Sequence, residues 1–221
     1  MPTNRAIGRF RLKNIPPPFC RGSKKCSQTK RARAFFYTET ASLEACSSQY
    51  YGIPPYLPPW FGLFTLALED KYGAKIEFVN LSEGGRCAVW GADHIAARQG
   101  ALEPDLMVIA FGMNDATSGR NADEFAGAVR RIMACQKPGC EFILVGSMVA
   151  NAECPFRGDY RGLARALREF ADTNTAVVDV GALHEYLLTR KGYIDMTQNN
   201  VNHPNDFLAR CYAMSILRLF E

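Results

Sequence analysis

A short run of apolar residues, Leu106–Phe111, ends abruptly in Gly112 and is followed by two polar side chains, Asn114 and Asp115. An unbroken apolar run of this length is typical of a strand that is buried on both faces. Such strands belong to parallel sheets, in which ligands bind just beyond the carboxyl ends of the strands. Asn114 and Asp115 are therefore candidate site residues, although an Asn/Asp turn after a strand is an equally ordinary interpretation.

After residue 60 the chain alternates between segments with helical spacing and short segments typical of strands. Apolar spacing predicts helices at Trp60–Tyr72, Val89–Gln99, Ala122–Gln136, Tyr160–Asp172, Ala182–Arg190 and Phe207–Phe220. Strands are predicted at Ala34–Tyr37, Lys75–Asn80, Leu106–Phe111, Glu141–Ser147 and Ala176–Val180. The alternation favours a mostly parallel sheet with helices on both faces, that is, a flavodoxin-like three-layer α/β/α sandwich.

The positive charge of this 221-residue chain is concentrated at its N-terminus. Ten Lys and Arg residues fall within residues 1–33, which contain no Asp or Glu. We predict a disordered basic tail there, with a transit peptide as the alternative, and one domain over residues 34–221. That remainder carries 16 basic and 22 acidic residues, which argues against nucleic acid as a partner. The sequence shows no secretory signal, and we expect no membrane span.

The cysteines and histidines do not follow the spacing of metal sites. The eight cysteines include no C-x-x-C pair, so reduced thiols are expected, although Cys135 and Cys140 are close enough in sequence to pair around a turn. The three histidines, His94, His184 and His203, are not at ligand spacing. We therefore predict no metal site.

Glycine and polar residues lie where a ligand site is expected. Gly84 and Gly85 follow the strand Lys75–Asn80, Asn114 follows the next strand, and His203 opens the last helix. A glycine amide can point at an anion, and a histidine at the mouth of a sheet is a candidate general base. Each segment alone also fits an ordinary role, as a glycine-rich loop, a turn or a surface histidine near a helix N-cap. No nucleotide-binding motif is present.

The order and spacing of these segments resemble the SGNH (GDSL-like) hydrolases. The resemblance covers roughly residues 34–221 and implies hydrolysis of acyl esters, chiefly acetyl esters, without a metal or organic cofactor. It implies that Gly85 and Asn114 donate to an oxyanion and that His203 is the general base. Asp115 becomes a structural partner of the Asn114 loop. The pair Trp90-Gly91 and the run Asn202–Asp206 look most like bacterial carbohydrate esterases, whose substrate would be a small-molecule or carbohydrate ester.

The triad acid is the first departure from the family pattern. The family places this acid three residues before the histidine, and that position is Asn200. An Asn can orient an imidazole but cannot stabilise an imidazolium as a carboxylate does. Asp195, eight residues before His203, is the alternative acid, and an ordinary turn residue is the other interpretation of Asp195.

The nucleophile is the second departure. After the predicted strand Ala34–Tyr37 the family has Gly-Asp-Ser, whereas this chain has Thr38, Glu39 and Thr40. Thr40 therefore occupies the nucleophile position, and its additional methyl group makes a direct exchange for serine unfavourable. Ser42 and Ser47 are nearby hydroxyls with no motif around them.

A shift of the reading frame is our hypothesis for the missing motif. Read from the third base of the Thr38 codon, and with the commoner serine and leucine codon families, the codons through Glu44 can encode Gly-Asp-Ser-Ile-Thr-Gly-Gly. The same frame across Ala34–Tyr37 can encode an apolar strand. The chain before about residue 46 is then a frame-shifted translation, which also explains the lack of acidic residues in the tail.

Two other functions remain open at this point. The missing serine and acid favour a non-catalytic ligand-binding protein with the same fold, while the presence of Gly85, Asn114 and His203 argues against it. Acyl transfer to a sugar instead of to water is a third possibility. As written, with Thr40 in place of serine, the chain is expected to have weak or no esterase activity.

Overall fold

The computed structural model describes residues 31–38, 60–73, 75–155 and 158–221. Its centre is a five-stranded sheet in the order β2-β1-β3-β4-β5, and every neighbouring pair of strands is parallel. The strands are β1 Arg31–Thr38, β2 Lys75–Asn80, β3 Leu106–Ala110, β4 Glu141–Gly146 and β5 Thr175–Asp179. This order confirms the flavodoxin-like sandwich.

Helices cover both faces of the sheet. They are α1 Trp60–Tyr72, α2 Ala88–Gln99, α3 Met113–Thr117, α4 Ala122–Ala134, α5 Tyr160–Arg168, α6 Val180–Leu188 and α7 Asp206–Leu217. Short 3-10 helices lie at Tyr193–Met196 and Arg218–Phe220. In the described part of the chain, no helix is long and apolar enough to cross a membrane.

Successive residues of β3 face two separate cores, as the apolar run predicts. Val108 packs in the core formed with α1 and α7, whereas Met107 and Ile109 pack in the core formed with α2, α4 and α5. All three side chains are almost fully buried. Because strand side chains alternate between faces, an apolar residue is needed at every position of a strand covered on both sides.

Side-chain caps determine where several helices begin. Asn121, Asp159, Asp179 and Asn205 each accept a hydrogen bond from a backbone N–H in the first turn of the helix that follows. The cap at Asp179 explains one difference from the sequence prediction, because Val180 begins α6 instead of ending β5. The other predicted helices and strands are confirmed, with ends displaced by a few residues.

Two short helices were not predicted. The run from Met113 to Thr117 forms α3 instead of a simple turn, after Gly112 at a φ of 137°. The other is the 3-10 helix Tyr193–Met196. The five cysteines in the described segments are free thiols, so Cys135 and Cys140 do not pair.

Candidate active site

The loops after β2 and β3 lie on either side of the end of β1. This follows from the strand order, in which β1 pairs with β2 on one side and with β3 on the other. β1 ends at Thr38, and Thr40, the residue in the nucleophile position, lies outside the described residues. The carboxyl end of β1 is therefore the centre of the edge at which the candidate site is expected.

The loop after β2, residues 81–87, is here called the Gly85 loop. Gly85 has a φ of 76°, a left-handed conformation that side chains disfavour, and a Cβ built on it would meet no atom within 4 Å. The glycine is therefore required by the backbone conformation and not by crowding. Its exposed position leaves the loop backbone accessible from solvent.

Asn114, in the first turn of α3, contacts this loop directly. Its side-chain Nδ2 donates a hydrogen bond to the carbonyl of Arg86, with 3.0 Å between the two atoms. The bond fixes the orientation of an amide group that has two donor hydrogens. The structure thus brings together the two residues predicted as oxyanion donors, Gly85 and Asn114, while their catalytic role stays a prediction.

Asp115 holds the far end of the Gly85 loop. Both of its carboxylate oxygens accept from the N–H of Ala88, at 3.1 and 3.0 Å, and the Nε atom of Arg120 lies 3.1 Å from Oδ1. The side chain is fully buried. Burial raises the pKa of the Asp115 carboxyl, and the Ala88 hydrogen bond and the Arg120 charge oppose that shift. Asp115 therefore has a structural role, although the loop that it holds is the Gly85 loop and not the Asn114 loop that was predicted.

His203 lies in a loop that is closed at its base, residues 197–204, here called the His203 loop. Thr197 and Pro204 form an antiparallel bridge, and the N–H of Gln198 donates to the carbonyl of His203 at 2.9 Å. The imidazole is half-buried, and this burial lowers the pKa of His203. A lowered pKa keeps the imidazole neutral, the form in which it can accept a proton.

Asn199 organises the His203 loop and was not singled out in the sequence. Its Oδ1 atom accepts from the N–H groups of Val201, Asn202 and His203, each at 3.0 Å. One side chain thus fixes three consecutive peptide groups, including that of the proposed base. The available signal was an Asn four residues before the histidine, since Asn side chains often bind backbone groups a few positions ahead.

The two candidate acids lie in different surroundings. Asn200 has a φ of 54°, and its carbonyl accepts from the side chain of Asn151 at 2.8 Å. Asp195 accepts from the N–H of Gly192 at 3.0 Å and so caps the 3-10 helix Tyr193–Met196. Asp195 therefore has a local structural role, and the identity of the acid stays a prediction.

Arg86 of the Gly85 loop lies against a tryptophan and near a second arginine, both on α2. The guanidinium carbons of Arg86 and Arg98 lie 5.0 and 5.3 Å from the centroid of the Trp90 ring. Glu83 forms ion pairs with both arginines at 2.6 Å. His94 stacks on the same ring, with 4.5 Å between the ring centroids, so protein groups cover Trp90 and the exposed Arg86 is the group open to a polar ligand.

Residues 48–208 match the GDSL-like Lipase/Acylhydrolase family. The chain belongs to this family. The match includes Gly85, Asn114 and His203, and it begins after Thr40. Membership of this family makes the protein a member of the carboxylic ester hydrolases. It confirms the resemblance predicted from the sequence. A sequence search among curated proteins gives no significant match.

Solved acylhydrolase structures share this fold. Axe2, an acetyl-xylooligosaccharide esterase from Geobacillus stearothermophilus, superimposes in a mutant form with a TM-score of 0.70 at 19% identity, covering 86% of this chain and 94% of that chain. A two-domain esterase named CEX, active on acetylated mannans, gives a TM-score of 0.66 at 18% identity, covering 86% of this chain and 48% of that chain. Catalytic mutants of Axe2 replace a serine, an aspartate and a histidine by alanine, and the aspartate precedes the histidine by three positions.

In the part of this acylhydrolase that the structure describes, no three His, Cys, Asp or Glu side chains are grouped so as to hold a metal ion. The structure joins Asn114 and the Gly85 loop by a hydrogen bond, whereas the place of His203 at the same site stays a prediction. Hydrogen-bond donors and an imidazole are suited to stabilising a negatively charged oxygen and to moving a proton.

Proposed function

We propose that this protein is built to remove acetyl groups from acetylated carbohydrates by a serine-esterase-type mechanism. The observation that carries the proposal is the hydrogen bond between Asn114 and the Arg86 carbonyl, which joins the loops after β2 and β3 at the carboxyl edge of the sheet. A pair of preorganised donors at that edge is what a tetrahedral oxyanion requires.

The chemistry follows from the proposed roles. His203 takes the proton of the nucleophile hydroxyl as the hydroxyl oxygen attacks the ester carbonyl carbon. The resulting oxyanion is held by the Gly85 amide and the Asn114 side chain. The carbon–oxygen bond to the sugar then breaks, and His203 returns the proton to the departing alcohol. Water repeats the two steps and releases acetate.

Asn200 stands in the place of the triad acid in this proposal. The spacing between Asn200 and His203 equals that between the catalytic aspartate and histidine of Axe2. This supports Asn200 as the residue in the acid position, although the residue type differs. A neutral Asn leaves the imidazolium without a stabilising charge, so a reduced rate is expected. Asp195 is the weaker candidate, because its carboxylate caps a 3-10 helix.

The nucleophile is Thr40 in the chain as written, and serine under the frame-shift hypothesis. The family match begins at residue 48, close to the point where the hypothesis places the return to the original frame, and this supports it. Sequencing the gene across codons 30–50 tests the idea. Finding that no single-base insertion or deletion restores Gly-Asp-Ser would eliminate it.

A carbohydrate alcohol is supported by two observations. Axe2 and CEX act on acetylated xylooligosaccharides and acetylated mannans. Arg86, which is exposed in the Gly85 loop, gives that loop a polar border with hydrogen-bond donors for the hydroxyl groups of a sugar.

Acetate release from nitrophenyl acetate, acetylated xylooligosaccharide and acetylated mannan tests the proposal. Turnover that disappears in His203→Ala supports hydrolysis. A non-catalytic binding protein is the second candidate, favoured by Thr40 and Asn200. It is indicated by tight binding of the acetylated sugars, measured by calorimetry, without acetate release from either the parent chain or Thr40→Ser. Transfer of acetyl to an added sugar acceptor would indicate an acyltransferase.

A further inference from the structure

The loop after β4 is hydrogen-bonded to the His203 loop through Asn151. The backbone N–H of Asn151 donates to the carbonyl of Val201 at 2.9 Å, and its Nδ2 donates to the carbonyl of Asn200 at 2.8 Å. Asn151 is 8% exposed, so the donor side of these bonds is buried, while Asn200 on the acceptor side is exposed. Buried polar groups of this kind are costly to leave unpaired, which makes the contact specific in geometry.

Tyr193 joins the same two loops through its hydroxyl. The Oη atom lies 2.9 Å from the carbonyl of Val149 and 2.8 Å from that of Val201, so its proton is shared between the two loops. Burial raises the pKa of the Tyr193 hydroxyl, which therefore keeps its proton and acts as a donor at neutral pH. The ring is held from behind by the fully buried His184, whose ring centroid is 5.3 Å away.

Asn200 shows why the His203 loop needs to be held. Of the non-glycine residues that the structure describes, it alone has a positive φ, at 54°. Asn tolerates this conformation better than most residues, yet it persists only where the surroundings fix it. The peptide groups fixed by Asn151 and Tyr193 are those of Asn200 itself and of Val201, which lie three and two residues before His203.

We propose that Asn151 and Tyr193 are positioning residues that hold the His203 loop in its active conformation. They act on His203 through the backbone of Asn200 and Val201 and touch neither substrate nor the reacting atoms. The inference rests on the proposed role of His203 as the general base. It assigns part of the site to the loop after β4, which the family motifs do not include.

Imidazole NMR titration of the intact chain tests the inference without requiring activity. The chain has three histidines, so the His203 signal can be assigned with His203→Gln. In Tyr193→Phe and in Asn151→Ala the loop loses a restraint and admits water, so the pKa of His203 is expected to rise toward its ordinary value. The signal of His94, which is exposed on α2, is the internal reference. Tyr186→Phe is the matched control, because this tyrosine is 54% exposed on α6.

A His203 titration curve that coincides with the parent curve in a folded variant overturns the role of the substituted residue. If the parent turns over acetyl esters, kcat in Tyr193→Phe should fall at least about tenfold, with KM within about twofold, because a displaced base slows chemistry more than binding. A rise in KM as large as the fall in kcat contradicts the inference, and so does an unchanged kcat. If the parent releases no acetate but the pKa of His203 moves, the proposed function fails while the positioning of His203 stands.

Discussion

The side chain of Asn114 and the carbonyl of Arg86 are joined by a hydrogen bond of 3.0 Å across two separate loops. Arg86 directly follows Gly85, so the bond relates the two residues proposed to hold the oxyanion. Its donor is a side chain and its acceptor a backbone group, which means that substitution of Asn114 removes both the proposed oxyanion contact and the link between the loops.

Asn114→Ala is expected to lower kcat by about a hundredfold or more, the usual effect of removing one oxyanion donor. KM should change little, because the donor binds the transition state more strongly than the ester. Initial rates on an acetyl ester measure both constants. Asp123→Ala, which alters an exposed side chain in the first turn of α4, is the control and should retain the parent kcat. A variant with kcat within about threefold of the parent would exclude Asn114 from the oxyanion site.

Asp115→Ala is expected to destabilise the fold by about 3–5 kcal/mol, the usual cost of removing one partner of a buried ion pair. The substitution leaves Arg120 and the N–H of Ala88 without the carboxylate that binds them. Urea denaturation measures the difference. Asp123→Ala, at an exposed position of α4, should cost less than about 1 kcal/mol and serves as the control. Equal stability of the two variants would show that Asp115 does not anchor the loop.

Asn200→Asp is expected to raise kcat at least about tenfold, because a carboxylate stabilises the imidazolium formed by His203. Aspartate also tolerates the left-handed backbone at this position. Acetate release is measured with and without Asn200→Asp, first in the chain as written and then in Thr40→Ser. Asp195→Asn should leave kcat within about twofold. The opposite result, with Asp195→Asn inactive and Asn200→Asp unchanged, would assign the acid to Asp195.

The buried His184 is expected to make stability sensitive to acid. Burial lowers the pKa of His184 from its ordinary value near 6.5 to about 4 in the folded protein. The stabilisation from its neutral form is therefore complete above pH 6.5 and is lost as the pH falls toward 4, by roughly 3 kcal/mol at most. Urea unfolding at pH 7 and pH 4.5 should show a larger loss for the parent than for His184→Leu. Equal losses of stability in the parent and in His184→Leu would contradict the assignment of the acid sensitivity to His184.

Periodicity sufficed to predict the order of elements and the parallel sheet. Runs such as Leu106–Phe111 must be buried on both faces, and helices of matched length must cross between them. The sequence also predicted Gly85 after β2 and Asn114 after β3, and the structure places both residues directly after those strands. The order of elements depends on local spacing, which a single sequence contains, whereas the catalytic roles of these two residues and of His203 rest on the family resemblance and stay predictions.

The supporting residues of the site could not be predicted in the same way. Asn151 and Tyr193 bind carbonyls that are between 8 and 50 residues away in sequence, and nothing in their local pattern indicates those partners. The helix α3 is only five residues long, too short for a periodic signal. Asn199 is an intermediate case. Its partners are within four residues, and Asn side chains are known to bind backbone groups a few positions ahead.

The anchoring of the Gly85 loop determines which parts of the chain tolerate change in length. At one end the Asn80 side chain accepts from the N–H of Ser82 at 3.0 Å, and at the other Asp115 holds Ala88. An inserted or deleted residue between these points would break one anchor and displace the proposed oxyanion site. Attempts to alter substrate range are therefore better directed at the exposed side chain of Arg86 than at the length of this loop.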